Sequence, residues 1–543
     1  MGDWGVRPVP TDLARRYCDE GWWTDDTVGR ILAEGLARQP NQRLWFFSDD
    51  RPFRGTFADG LAMAQRVAGA LAARGIRPGD PVAFQLPNRV EAAATFWGAA
   101  LLGAVVVPIV HFYGAKEVRY ILGQSEARVL ITADRTGHLD HLEILDGLAP
   151  DLPALEHVLV VGDDAGGWER FADAVDTARS AAGPAPADPA SPALIAYTSG
   201  TTADPKGVVH SHRSLGAEIR QLAAMQPGHA LPMLVGAPVG HAIGMLGGLL
   251  LPVFRGEAIA MIDGWEPATV LGLMLEHGLT AGSGSTYFLL SLLEHPDFSE
   301  AHVRHMPAIG LGGSAVPAAI GERAAALGIE TTRAYGSTEH PSTTGARHSE
   351  PREKRIATDG RPLPGVELRF DEDGEIWSRG PDLFSGYTDP RLTAEATDTD
   401  GWYRSGDIGV LDDEGWLTIT DRAKDVIIRG GENVSPAEVE DLLLRMPGVA
   451  EVAVVAAPDA RLGEHGCAFI RPAPGAEAPD LAAIRDHLEA AGLARQKWPE
   501  EIREVADLPR TATGKVQKFA LRAQLRRSGV YHLPGDAPED SAG

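Results

Sequence analysis

Cysteine is nearly missing from this chain: Cys18 and Cys467 are the only two in 543 residues. Their scarcity and separation exclude a disulfide framework and a cysteine-built zinc site. Lysine is scarce as well. The 50 Lys and Arg side chains include only seven lysines, Lys116, Lys206, Lys354, Lys424, Lys497, Lys515 and Lys518. Acids outnumber bases, and the formal net charge is −25. Such a chain offers little to a nucleic acid, whose phosphates reward basic patches, and as little to an anionic membrane surface. Long apolar runs are missing too. The longest, near 92–109 and 245–254, contain glycine or proline and fall short of a membrane span. The N-terminal stretch Met1-Gly-Asp-Trp-Gly-Val-Arg-Pro8 has no apolar core of a signal peptide. The expectation is a cytoplasmic protein with no integral membrane association and no nucleic-acid partner.

What is present is a hydrophobic fraction of 44 %, enough at this length for about two to four domains or subdomains. The first four hundred residues alternate between helical and strand-like periodicity. Residues 57–74 place Leu61, Ala64, Val67, Ala68 and Leu71 on one helical face. A buried strand follows over 81–86, a helix over 91–102, a strand over 104–109, a helix over 117–124 and a strand over 127–132. This rhythm predicts an α/β fold, a parallel or mixed sheet covered by helices. Residues 374–378 and 415–420 look like short strands of a β-rich subdomain. The character changes after Asp421. A helix over 436–446 starts with Ser435 and Pro436, 449–456 and 466–471 read as strands, and 481–491 as a helix. That is a compact α+β unit of roughly 115 residues. The predicted division is a large domain over 1–421, a junction at 422–424, a small C-terminal domain over 425–530 and a disordered tail over 531–543. No internal repeat is seen.

The most telling stretch is Tyr197-Thr-Ser-Gly-Thr-Thr-Ala-Asp-Pro-Lys-Gly207, reached from a Pro/Ala loop over 181–190 and the apolar run 193–196. It carries the hydroxyls of Thr198, Ser199, Thr201 and Thr202, with Gly200, Gly207 and Lys206. Glycine lets backbone N–H groups approach a ligand closely, hydroxyls donate hydrogen bonds, and lysine adds a mobile positive charge. This is equipment for gripping a polyphosphate. It is not a Walker A loop, because the order here is Lys206-Gly207-Val208. Lys206, Lys424, Lys515 and Lys518 all fall in or beside Gly-, Asp- or Thr-rich segments. A chain that otherwise favours arginine keeps its few lysines partly for chemistry, although chance placement is the plain alternative.

Five further segments stand out: Pro238-Val-Gly-His241-Ala-Ile-Gly244, Tyr335-Gly-Ser-Thr-Glu339-His340, Trp402-Tyr-Arg404-Ser-Gly-Asp407, Asp421-Arg422-Ala-Lys424-Asp425 running on to Gly430-Gly431-Glu432-Asn433, and Pro509-Arg510-Thr-Ala-Thr513-Gly514-Lys515. Singly, each has an ordinary reading as a packed core histidine, a turn or an exposed loop. In this order and spacing they resemble the adenylate-forming superfamily of acyl-CoA synthetases, adenylation domains and firefly luciferase. The resemblance covers roughly residues 25–525, and the Tyr-Thr-Ser-Gly-Thr-Thr-x-x-Pro-Lys-Gly, Tyr-Gly-x-Thr-Glu and Gly-Lys signatures are specific in combination.

The resemblance implies a two-step ligase. A carboxylate resists attack by a thiol because its own oxygen leaves poorly. Attack of the carboxylate on the α-phosphate of ATP gives an acyl-adenylate and pyrophosphate, from which a thiol, usually that of CoA, displaces AMP. Two anions must meet, so positive charge and Mg²⁺ have to neutralise the developing charge. By resemblance, Thr198, Ser199, Gly200, Thr201, Thr202 and Lys206 grip the phosphates, Thr338 contacts phosphate, and Glu339 holds Mg²⁺, a hard ion suited to an oxygen ligand. Gly313, Ser314, Ala315, Tyr335, Gly336 and Ser337 line the nucleotide pocket. Asp407 holds the ribose hydroxyls and Arg422 steadies the nucleotide. Lys515 and His241 are the other catalytic candidates, Lys515 bridging carboxylate and α-phosphate. Lys424 marks a hinge about which a mobile small domain rotates, withdrawing Lys515 and bringing Gly430, Gly431 and Glu432 in for the thioester step. Ser405 and Asp421 stand where the family usually has Thr and Gly.

The acyl pocket is expected near His241, Ser283–Tyr287, Gly312–Ser314, Gly336 and His340–Thr344. Residues 235–250 contain no acid, which disfavours an amino-acid substrate. Glycines at 236, 240, 244, 247, 248, 282 and 284 suggest a roomy apolar pocket. The expected substrates are ATP, CoA and a medium-to-long-chain or alicyclic, even steroid-like, carboxylic acid, acted on by a monomer or homodimer. The chain ends soon after Lys515 without a fused carrier domain, which disfavours a modular peptide synthetase. An amide-forming ligase with an amine acceptor is the alternative. A third reading comes from Gly310-Leu-Gly312-Gly-Ser-Ala315 with Glu330 about twenty residues on, a dinucleotide fingerprint that alone would suggest an NAD-dependent oxidoreductase.

Overall fold

The computed structural model describes residues 4, 6–198, 205–225, 231–459, 461–511 and 514–527. Ser199, Gly200, Thr201 and Thr202 of the phosphate loop, and the tail over 531–543, lie outside them.

The alternating pattern builds a mixed sheet in the large domain. Among the described residues it has eight strands, in the order Gly386–Tyr387, Lys206–Ser211, Pro192–Thr198, Val105–Pro108, Pro81–Gln85, Val129–Ala133, His157–Val161 and Glu169–Arg170. The strands from Pro192–Thr198 to Glu169–Arg170 run parallel; at one edge Lys206–Ser211 adds antiparallel to Pro192–Thr198, and Gly386–Tyr387 adds antiparallel to Lys206–Ser211. Pro81–Gln85 and Val129–Ala133 are buried at every position, as expected of parallel strands covered on both faces. Val82 and Phe84 join the core under helices Val28–Arg38, Phe57–Ala73 and Val90–Leu101, and Ala83 joins the core under Ala115–Ser125 and His141–Leu148.

The helices start where the sequence provides caps. Thr56 Oγ1 accepts from Asp59 N, and the Asp59 carboxylate accepts from Thr56 N at 2.8 Å. This reciprocal box contributes about 1 kcal/mol to Phe57–Ala73. That helix packs on Val90–Leu101, where Gly98 lies against Val67 and the Ala64 carbonyl. Trp97, fully buried, donates its indole N–H to Leu249 O at 3.2 Å.

A second sheet contains Leu234–Val235, Ile259–Ile262, Arg43–Phe47 and Phe53–Thr56, and a third Ala308–Leu311, Glu330–Tyr335, Thr344–Gly345 and Arg361–Pro362. Parallel bridges Met233↔Thr280 and Gly284↔Leu311 link these regions. The β-rich part is an antiparallel sheet of Glu367–Phe370, Glu375–Arg379, Tyr403–Leu411 and Leu417–Arg422.

The small domain follows directly. Its sheet contains Ile427–Arg429, Glu432–Val434, Val449–Asp459, Gly463–Pro472 and Glu501–Glu504. Helices Pro436–Leu443 and Leu481–Ala490 cover one face with Val439, Leu443, Ile484 and Leu488, and Lys518–Arg527 covers the other with Leu521 and Leu525. Ser435 Oγ accepts from Glu438 N at 3.1 Å, capping the first of these helices. Arg445 reaches Glu322 of the large domain at 2.6 Å, and Arg471 reaches Glu294 at 3.4 Å. Partly exposed pairs of this kind contribute about 0–1 kcal/mol each. No helix among the described residues is long and apolar enough to cross a membrane.

Candidate active site

The two domains close around a cavity of about 1640 Å³. Its polar end is assembled from segments far apart in sequence. Thr198 ends one strand, Lys206 begins the next, and the two face each other in the antiparallel register. Lys206 Nζ lies 5.2 Å above the Tyr387 ring. The Tyr387 hydroxyl donates to Glu339 Oε1 at 2.7 Å. Burial and the Glu339 charge push the Tyr387 phenol far up, so it stays a donor. Among the described residues no donor takes Glu339 Oε2. That oxygen, beside Thr338 and Lys206 in the wall, fits a hard divalent cation that prefers carboxylate oxygen.

Thr338 and Glu339 sit on a tight turn after the strand Glu330–Tyr335. A Cβ at Gly336 would lie 1.9 Å from Pro341 O, so only glycine permits this approach. Ser337 N donates to His340 O at 2.9 Å, and Thr343 N to Tyr335 O at 3.0 Å. The Thr338 carbonyl accepts from His210 Nε2 at 2.8 Å. Burial drops His210 to about 4, which keeps the ring neutral.

Asp407 and Arg422 face each other across neighbouring strands. Arg422 Nε lies 2.9 Å from Asp407 Oδ1, and the Tyr335 hydroxyl donates to Asp407 Oδ2 at 2.8 Å. Lys515 approaches this pair from the small domain. Its turn is closed by Thr511 N to Lys515 O and Gly514 N to Thr511 O, each 2.8 Å. Burial, and then the Arg422 charge, push the Lys515 ammonium down to about 8. Lys424 is lowered by the same two causes in the same order. Lys515 and Lys424 thus converge on Arg422 in a buried site where Asp407 and Asp425 are the neighbouring acids. Positive charge gathered at one end of the cavity suits an anionic ligand. His241 caps the start of the helix Ala242–Met245. Burial first and Lys515 second drop its ring to about 4, so it is neutral.

The apolar end runs between the helical segment 242–255 and the strands around Met233, Val235 and Ile259. Ser283, Gly312 and Gly336 line it near the polar end. Several sequence expectations need correcting. His340 is not in the pocket: its ring is buried between Ser378 Oγ at 2.8 Å and Asp382 Oδ1 at 3.2 Å. Gly313 lines the cavity, but Ser314 and Ala315 lie outside it. Gly430 and Gly431 form the turn between Ile427–Arg429 and Glu432–Val434; with Glu432 they line no part of the cavity while Lys515 does, and the sequence expectation brings them in only for the thioester step, so this placement does not contradict it. Most of the glycines taken as a sign of room serve close packing instead. A Cβ at Gly236 would meet Trp265 at 2.2 Å, and one at Gly244 the Pro238 carbonyl at 2.2 Å. The strand–turn–helix around Gly310–Ala315 exists, yet Glu330, the acid its fingerprint needs, is engaged by Arg355.

Sequence reasoning missed Tyr387, His210 and Glu375. Glu375 also lines the cavity and accepts from Gly406 N at 3.0 Å. Nothing local marks Tyr387 apart from a core aromatic. Its position follows from pairing of Gly386–Tyr387 with Lys206–Ser211.

Comparison with known proteins agrees with this layout. The AMP-binding enzyme family matches residues 32–388, and the AMP-binding enzyme C-terminal domain matches 438–515. A 3-[(3aS,4S,7aS)-7a-methyl-1,5-dioxo-octahydro-1H-inden-4-yl]propanoyl:CoA ligase of Mycobacterium tuberculosis is 38 % identical over 504 residues, 90 % of this chain and 97 % of that protein. The medium-chain fatty-acid–CoA ligase of Escherichia coli is 30 % identical over 527 residues, 94 % of this chain and 92 % of that protein. The crystal structure of the anthranilate CoA ligase AuaEII in complex with anthranoyl-AMP superposes with a TM-score of 0.85 at 26 % identity, covering 95 % of this chain and 99 % of that one. The NAD-dependent reading finds no support in these matches. With both of its domains matched, the chain belongs to the AMP-binding enzyme family within the adenylate-forming superfamily, as an acid–thiol ligase of the AMP-forming acyl-CoA synthetase type.

Proposed function

We propose that the protein activates a medium-to-long-chain or alicyclic carboxylic acid with ATP and Mg²⁺, and transfers the acyl group to CoA. The observation that carries this reading is the single cavity that joins a cationic end to a long apolar end. At about 1.5 Å per residue, the helical stretch from Ala242 to Arg255 spans about 20 Å. Both ends of that stretch line the cavity. This is ample for an extended chain or fused rings, and more than acetate needs. The name of the M. tuberculosis relative favours the alicyclic option and that of the E. coli relative the aliphatic one.

In this reading Thr198 and Lys206 hold the outer phosphates. Tyr335 and Asp407 receive the nucleoside, and Asp407 then exchanges its present partners for ribose hydroxyls. Lys515 lies between the phosphate and carboxylate positions, and its charge offsets the repulsion between the two anions as they meet. Neutral His241 borders the carboxylate without adding charge. A Mg²⁺ ion held by Glu339 would supply further positive charge at the phosphates. Rotation about Lys424 then carries Lys515 out and Gly430–Glu432 in, opening a path for the thiol.

A panel of linear and alicyclic acids, assayed for pyrophosphate and AMP with and without CoA, tests this. AMP and an acyl-CoA are expected. ADP as product would end the adenylation reading. Amides from amines without thioester would replace CoA as acceptor, and strict preference for acetate would remove the substrate class.

A further inference from the structure

Behind the turn that carries Thr338 and Glu339 lies an acidic pair that the proposed chemistry does not use. Glu218, on the helix His212–Met225, and Asp382 are both completely buried. Each has one oxygen with an ordinary partner. Ser342 Oγ donates to Glu218 Oε1 at 2.5 Å, and the His340 ring meets Asp382 Oδ1 at 3.2 Å. The other two oxygens, Glu218 Oε2 and Asp382 Oδ2, are sealed from water and meet no N–H or hydroxyl donor among the described residues. The side chains are nevertheless within hydrogen-bonding reach of each other.

Two ionised carboxylates in contact in a dry site repel without screening, so one of them keeps its proton. The surroundings decide which. Burial favours the neutral form of both. At Asp382 the facing His340 ring reverses this and holds the carboxyl below its ordinary value. At Glu218 burial and the Asp382 charge act together and hold the carboxyl well above its ordinary value.

The geometry points to one proton held between Glu218 Oε2 and Asp382 Oδ2, which makes these two acids the positioning residues of the 336–342 turn. The proton belongs to Glu218 and is donated to Asp382. It satisfies both orphan oxygens at once. The pair grips the turn at two points, through Ser342 and through His340. His340 is itself fixed on its far side by Ser378, and its backbone N–H donates to Ser337 Oγ at 3.1 Å. Thr338 and Glu339 of this turn face the cavity, as does Ser342, whose hydroxyl is the one bound to Glu218. Loss of the shared proton would force the acids apart and pull Ser342 and His340 in different directions. The functional half of this inference rests on the roles proposed above for Thr338 and Glu339.

Infrared difference spectroscopy on the whole protein reads the proton directly. Wild type minus Glu218→Gln should show a carboxylic-acid C=O band that shifts in D₂O. Absence of the band in wild type would overturn the proposal, whatever any variant does. The kinetic arm uses the same variant. Gln at 218 still donates to Asp382 and accepts from Ser342, so adenylation should stay within about threefold of wild type. Glu218→Ala should lower kcat of adenylation by about tenfold or more, with KM for the acid unchanged, because a buried charge has lost its partner. Equal damage from Gln and Ala would refute the positioning role. A band present together with fully active Thr338→Ala and Glu339→Gln variants would instead defeat the proposed site and leave the shared proton standing.

Discussion

Alanine at position 514 should separate the two orientations that the small domain is proposed to adopt. Gly514 has φ +80°, and a Cβ built there would fall 2.3 Å from Tyr287 Cβ, 2.8 Å from Tyr287 Cγ and 2.9 Å from Ser285 Oγ. Tyr287 Cβ is fixed to the main chain of the helix Thr286–Leu293, so it cannot swing aside as a side-chain tip would. Carbon atoms rest about 3.5–4.0 Å apart, so the Lys515 turn has to lift away by roughly 1 Å or more. Two penalties result, and they act in different states. The left-handed backbone costs an alanine about 1–2 kcal/mol wherever the domain sits. The collision with Tyr287, about 1–3 kcal/mol for overpacking, arises only when the turn is docked. Docking should therefore weaken by roughly 5- to 150-fold. Rapid-quench measurement of pyrophosphate release should show a fall of that size in the first half-reaction. Thioester formation from pre-made acyl-adenylate and CoA should stay within about twofold of wild type, since the second term is then absent. Equal loss in both half-reactions would refute the reasoning.

Two further outcomes follow from the same site. Docked Lys515 titrates near 8, below the ordinary 10.5 of a lysine. Below pH 8 docking carries the full penalty of burying that charge, about 3 kcal/mol. The penalty fades as pH rises towards 10.5, but the charge fades with it. The kcat/KM for ATP should accordingly decline as pH rises through about 8. Lys515→Arg should abolish that decline, because a guanidinium stays charged, and an identical alkaline limb in both proteins would assign it to another group. Glu339→Gln keeps an acceptor for the Tyr387 hydroxyl but removes the anionic oxygen. Adenylation should drop by about two to three orders of magnitude with little change in thermal midpoint, and a near-normal rate would remove Glu339 from any role towards Mg²⁺.

The regular elements were legible because their burial is periodic. The expected helix over 57–74 is Phe57–Ala73, the strand over 81–86 is Pro81–Gln85, and the helix over 481–491 is Leu481–Ala490. Strand ends were less accurate. The strand expected over 449–456 runs Val449–Asp459, since ladder pairing with Gly463–Pro472 continues past the apolar run. Segments that carry chemistry within a few residues, such as Tyr335–Glu339, were also legible. Relations between distant segments were not. His340 reads as a pocket residue because it follows Glu339, but the tight turn at Gly336 points it backwards, to Asp382. Glu218 looks like one acid on an amphipathic helix, and its partners, Ser342 and Asp382, lie more than a hundred residues away. Glycine misled for a related reason. Sequence shows that a side chain is missing, whereas only packing shows whether a cavity or a neighbouring main chain occupies the space.

The helical wall of the cavity is not uniform. Between Ala242–Met245 and Leu251–Arg255, the turn Leu246–Leu250 is a π-helix. Such a turn is an α-helix that has accepted one extra residue. Removing either Gly247 or Gly248 would return this stretch to α geometry. The bulge takes up the extra residue locally, so the flanking α-helical side chains would keep the faces they present to the cavity. His241 stays anchored at the polar end, and the left-handed Gly256 still terminates the wall after Arg255. The change would be confined to the bulged turn, where Leu246, Gly247 and Gly248 line the cavity. A deletion of three nucleotides would thus reshape one stretch of the cavity wall while leaving both of its ends in place, a kind of variation that point-mutation libraries never sample.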